Sequence, residues 1–132
     1  MERNTLFWFA LVWSCIIGIA CLLDGSSIPQ TSTLNIPHKD KIAHFIFYFV
    51  FSILWFFYLD KLKDKKSRIV KALYVFVIAS IMGGVVEVLQ LKFTTSRSAE
   101  WMDVVANSSG SLIGLLLCLL ITQIKNDKKD CL

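Results

Sequence analysis

The chain has 132 residues, enough for one ordinary domain. It is 55% hydrophobic with a mean hydropathy of +0.61, more apolar surface than a core of this size can hide, which excludes an ordinary soluble domain. The net charge of +4 does not point to nucleic acid either, because the lysines sit between apolar runs and build no soluble basic face.

Four apolar runs follow in chain order. The first covers 6–23 ("LFWFALVWSCIIGIACLL"), the second 42–59 ("IAHFIFYFVFSILWFFYL"), the third 69–91 and the fourth 104–124. A helix rises about 1.5 Å per residue and the bilayer core is roughly 30 Å thick, so each run is long enough to cross. In lipid a single segment must satisfy its own backbone, which leaves the α-helix. The expected fold is all-α, a polytopic bundle of four membrane-spanning helices forming one domain over 1–132, with a short basic tail at 125–132. The first run reads as a retained helix and not a signal peptide. Its basic n-region (Glu2, Arg3) is weak, and no clean small-residue cleavage site follows.

Lysine and arginine counting sets an orientation. Ten of the fourteen lie at the N-terminus (Arg3), in the second loop (Lys61, Lys63, Lys65, Lys66, Arg68, Lys71) and in the tail (Lys125, Lys128, Lys129). Only Lys39, Lys41, Lys92 and Arg97 lie in the first and third loops. Both termini are therefore expected in the cytoplasm. The four cysteines show no C-x-x-C spacing and read as small apolar residues, so no metal, cofactor or disulfide framework is expected.

On that topology the unusual residues gather at one depth, the outer end. Asp40, Lys41 and His44 open the second span, Glu87 and Gln90 close the third, Arg97 and Glu100 lie in the third loop, and Asp103 and Asn107 open the fourth. His44 and Tyr48 share a helix face, as do Gly83, Glu87 and Gln90. Asp103, Asn107, Gly110 and Gly114 form one stripe, and Gly110 and Gly114 make a G-x-x-x-G pair that permits close helix approach in lipid. Ala10, Ser14 and Gly18 form a similar stripe on the first span. A charge at the bilayer centre costs about 2.5–3.5 kcal/mol, so these polar groups are expected to face inward, with Glu87 beside His44, Asn107 or Arg97. Each has a plainer role as well: interhelical glue for Glu87 and Gln90, helix-end anchors for Asp40 and Lys41, a headgroup contact for Arg97. The sequon at Asn107-Ser108-Ser109 falls at a membrane-buried position and is set aside.

The stretches "DKIAHFIFY", "GGVVEVLQ" and "RSAEWMDVVANSSGSLIG" resemble the VanZ-like family of small bacterial membrane proteins. The pattern falls on Asp40, Lys41, His44 and Phe45, then Glu87 and Gln90, then Arg97, Glu100, Asp103, Asn107, Gly110 and Gly114. Family members often carry a proline or glycine just before the arginine, where this chain has Thr95 and Ser96. The resemblance implies a multi-pass protein of the bacterial inner membrane with an envelope role. The family's founding member is linked to resistance against the glycopeptide teicoplanin. It implies no catalytic residues.

Three functions are compatible with the residues. In the first, Asp40, Lys41, His44, Glu87, Gln90, Arg97, Asp103 and Asn107 bind a membrane lipid or lipid-linked envelope precursor, while Gly83, Gly110 and Gly114 pack helices. In the second, the protein is an enzyme acting on a lipid headgroup, with His44 and Glu87 as acid–base candidates. No nucleophile stands out, and one histidine with scattered acids is weak support for a metal. In the third, it is a proton-coupled transporter or accessory subunit. A polar set confined to the outer half argues against this unless the protein is an oligomer. The first reading is preferred.

Overall fold

The computed structural model describes residues 2–22, 39–62, 64–93 and 100–130. They form four helices: α1 (Arg3–Leu22), α2 (Lys39–Asp60), α3 (Arg68–Phe93) and α4 (Trp101–Asp130). All four are long and apolar enough to cross a membrane. Each begins one to three residues before its apolar run, because charged or polar residues such as Arg3, Lys39 and Arg68 are good enough helix formers to extend a helix past the apolar stretch. The basic stretch expected as a tail is helical too, continuing α4 through Asp130.

Outward faces are apolar. Trp8, Phe9, Leu73, Ile81, Leu91, Leu116 and Leu120 are all more than half exposed, as lipid-facing side chains are without a membrane around them. Inward faces follow helical spacing. On α4 the buried stripe runs Asp103, Asn107, Gly110, Ser111, Gly114, Leu115, Cys118, Thr122, polar at the start of the helix and mostly apolar beyond. On α2 it is His44, Tyr48, Phe51, Ser52 and Phe56.

The α2–α4 pair has the most extensive interface in the bundle. Two glycines explain it. A Cβ at Gly110 would fall on the carbonyl oxygen of Phe45, and one at Gly114 would stand 2.8 Å from that of Phe49. The two contacts are one turn apart on both helices and rise together, so α2 and α4 run parallel with their backbones touching, as the G-x-x-x-G pair led one to expect. The small stripe on α1 does not behave alike. Ala10 is fully buried, but nothing lies within 4 Å of a Cβ placed on Gly18.

α1 packs on α2 and α3, and among the described residues it does not reach α4. Two indole N–H groups join it to α2: Trp13 donates to the Phe47 carbonyl at 3.0 Å and Trp55 to the Ser14 hydroxyl at 3.2 Å. Among the aromatics of α2, Phe51 and Phe56 lie in the core. At the end where α2 finishes and α3 begins, the buried Lys71 ammonium binds the Leu59 carbonyl at 2.8 Å and the Asp64 carboxylate at 2.7 Å. That hydrogen bond holds the Asp64 carboxyl below its usual range. Arg68 pairs with Asp60 at 3.0 Å across the same turn. The opposite end, where α2 and α4 begin and α3 ends, carries the candidate site.

Candidate functional site at the polar end of the bundle

Parallel packing of α2 on α4 brings their first turns side by side, and antiparallel α3 delivers its last turns to the same level. His44, Glu87 and Asp103 come from three different helices, yet each offers a ligand atom within 4.8 Å of those of the other two, and all three are buried. Residues 43 and 59 positions apart in the chain thus meet in one cluster. Asn107, one turn below Asp103, joins it: His44 Nδ1 and Asn107 Oδ1 are 3.0 Å apart. A carboxamide oxygen only accepts, so Nδ1–H donates, and any lone pair the ring offers is on Nε2.

Two full charges 4.8 Å apart repel by about 3.5 kcal/mol at an effective dielectric of 20. Glu87 and Asp103 therefore favour positive neighbours. Lys41 is one such neighbour, with its ammonium 3.8 Å from Asp103 and 2.7 Å from Glu100. Lys41 is half-buried, whereas Glu100 is exposed, so this pair forms the rim of the cluster. The Glu100 carbonyl also accepts from the Asp103 N–H at 2.9 Å, which fixes the start of α4 beneath the rim. Asp40 is exposed in the first turn of α2, where a carboxylate complements the helix dipole.

Gly83 sits one turn below Glu87 on α3. A Cβ there would stand 3.1 Å from Asn107 Nδ2 and 3.6 Å from the Tyr48 hydroxyl. The glycine thus makes room for two buried polar atoms, and neither has a hydrogen-bond partner among the described residues. Ser52 and Ser111 continue the polar seam one turn further, with hydroxyls in the same condition. A polar set expected to stop in the outer half left these two out. Spacing of four from Tyr48 and from Asn107 is the signal that locates them.

Gln90 plays a different part. It is buried and donates through Nε2 to the Cys21 carbonyl at 2.8 Å, satisfying one of the acceptors left open in the last turn of α1. It holds α1 to the cluster's edge. Arg97, expected in the site, lies outside the described residues. Around the rim Phe93 and Trp101 are strongly exposed, the placement of aromatic side chains at a membrane–water boundary.

The assembled groups comprise an imidazole held in one tautomer, two carboxylates, an ammonium at the mouth and amide and phenol donors below. Such a set can exchange protons, hold a cation, or bind a polar headgroup. Comparison with known proteins adds a family. A family model described as VanZ/LLP1 matches residues 6–122, which takes in all four helices and the whole cluster. The chain is also similar to Uncharacterized protein C11E3.10 of Schizosaccharomyces pombe, with 24% identity over 104 residues, covering 79% of this chain and 61% of that protein. It thus spans about three-fifths of the length of that relative. No solved structure matches.

Proposed function

The chain belongs to the VanZ/LLP1 family, and from that premise we propose that it is a multi-pass membrane protein that binds the polar headgroup of an anionic lipid, or of a lipid-linked envelope precursor, at the polar end of its bundle. The observation that carries this reading is the buried convergence of His44, Glu87, Asp103 and Asn107 just inside a rim of half-buried Lys41 and exposed aromatics. Charged and amide groups collected in the apolar end of a bundle are expensive unless a polar occupant or one another offsets the desolvation. Lys41 supplies a cation that a phosphate or carboxylate would meet, and Arg97, between α3 and α4 in the sequence, is expected to supply a second.

On the lysine and arginine count this end would face the outer leaflet and both termini the cytoplasm; a bacterial membrane is what the sequence resemblance adds to that expectation. Resistance to a teicoplanin-type glycopeptide, where it occurs, would then be an indirect effect of the lipid or precursor held there. The test is native mass spectrometry of the gently purified protein against Lys41→Ala, Arg97→Ala and Glu87→Gln. A discrete anionic lipid that accompanies the wild type and is lost from the variants is expected. Identical bulk lipid on all four proteins would refute the reading.

One observation favours a second reading, an enzyme acting on the bound headgroup. Asn107 fixes the His44 tautomer, and a histidine so oriented next to two carboxylates has the form of a general base or acid. Turnover of the co-purified lipid that is abolished by His44→Gln while lipid binding persists would establish it.

A further inference from the structure

We propose that His44, Glu87 and Asp103 form a binding site for one divalent transition-metal ion of the Zn²⁺ or Mn²⁺ class. Their ligand atoms already lie within 4.8 Å of one another, on three separate helices, with every one of the three side chains buried. Around an ion with bonds of about 2.0–2.1 Å, tetrahedral ligand atoms stand about 3.3 Å apart, so closure asks for side-chain adjustments of no more than about 1.5 Å.

The donor set selects the ion. One imidazole nitrogen with two carboxylate oxygens suits Zn²⁺ or Mn²⁺ better than Ca²⁺ or Mg²⁺, which favour all-oxygen shells. Two carboxylates also match the charge of a divalent ion, which matters inside an apolar bundle. One nitrogen of the histidine is already held by a hydrogen bond. Donation of Nδ1–H to Asn107 Oδ1 would hold the ring and leave Nε2 as the nitrogen able to coordinate, the outer-shell arrangement that ligating histidines use.

An independent observation points the same way. Asn107 Nδ2 and the Tyr48 hydroxyl, both on nearly fully buried side chains, have no hydrogen-bond partner among the described residues and flank the space that Gly83 keeps open one turn below Glu87. Three protein ligands leave a coordination position for a water molecule, and these are donors that such an oxygen would accept from. The inference does not depend on lipid binding; only if that reading also holds would a headgroup oxygen take the water's place.

The test is a titration of the full-length protein in detergent, stripped with a chelator, using Zn²⁺ by calorimetry and Mn²⁺ by electron paramagnetic resonance. One ion per chain is expected, with affinity weakened by at least about tenfold in each of His44→Ala, Glu87→Gln and Asp103→Asn. His38→Ala, which removes the other histidine, should bind as the wild type does. Binding that is absent, that survives Glu87→Gln with Asp103→Asn, or that is lost with His38 would overturn the proposal. A measurement on the unaltered protein guards against variants that misfold. Co²⁺ loaded into the wild type should show d–d bands without thiolate charge transfer, and a thiolate band would place the ion on the cysteines instead and refute the site. Lipid co-purification is read separately, so either idea can fail alone.

Discussion

Replacing Gly110 by alanine tests whether the α2–α4 contact sets the site. An added Cβ would land on the Phe45 carbonyl oxygen. At Gly114 the same atom would stand 2.8 Å from the Phe49 oxygen, and a relaxed C···O contact begins at about 3.3 Å, so even the milder substitution separates the helices by about 0.5 Å. Gly110→Ala demands more. A separation of that size would stretch the His44–Asn107 bond from 3.0 Å to about 3.5 Å, the outer limit of a hydrogen bond. Overpacking costs about 1–3 kcal/mol and the weakened bond up to about 1 kcal/mol, for a total of about 1–4 kcal/mol. Gly84 is the control, because a Cβ there meets nothing within 4 Å. In a helix, Gly84→Ala should stabilise by about 0.5–1 kcal/mol. Unfolding in mixed micelles of increasing SDS fraction, followed by far-UV circular dichroism, reads both. Opposite signs are expected. If the two variants unfold at the same SDS fraction, the glycine-mediated contact is not what holds α4 in register.

Three further outcomes follow from other parts of the molecule. Gln90→Leu removes the donor to the Cys21 carbonyl and should cost about 1–2 kcal/mol, with faster hydrogen exchange confined to the last turn of α1; uniform exchange along α1 would refute its capping role. The Asp64 carboxyl is held below its usual range by Lys71, so the stabilisation from this pair is fully present above the unfolded carboxylate pKa, about 4, and is lost as the pH falls through the lower folded value. Asp64→Asn should therefore lower stability at pH 7 and flatten the acid limb of the stability–pH curve, and an unchanged acid limb would sink the assignment. Reporter fusions at each terminus should both report cytoplasm, and a split result would overturn the charge-based orientation.

Much of this architecture could be read from residue order alone, for reasons that individual residues make plain. Hydropathy located four helices because lipid leaves the backbone no alternative. Spacing of three and four put Asp103, Asn107, Gly110 and Gly114 on one face, and all four are buried. Spacing does not, however, say which atoms meet. That Gln90 serves the Cys21 backbone, that Lys41 is taken up by Glu100, and that Asn107 chooses His44 depend on the relative rotation and depth of helices, which short-range periodicity does not encode. Gly18 makes the same point from the other side, since a small residue marks an opportunity for close approach and only the partner helix decides whether it is used. The meeting of His44, Glu87 and Asp103 was open to suspicion from residue type, but the nearness of His44 and Asp103 comes from the glycine contact that sets α2 against α4, and that of Glu87 from the packing of α3 on both.

That contact has a consequence for biosynthesis. Gly110 and Gly114 emerge from the ribosome about 65 residues after Phe45 and Phe49, the positions they seat against. At about 5–20 residues per second, α2 waits several seconds for the helix that completes its groove. Throughout that interval His44, Tyr48 and Ser52 have no α4 to turn toward. The newborn helix has to wait beside the insertion machinery, or in company with α1, to which the Trp13 and Trp55 indole bonds tie it, with its polar face unburied. Variants that weaken the Trp13 and Trp55 bonds should therefore reveal themselves first as degradation of half-made chains, before any loss of stability in the finished protein.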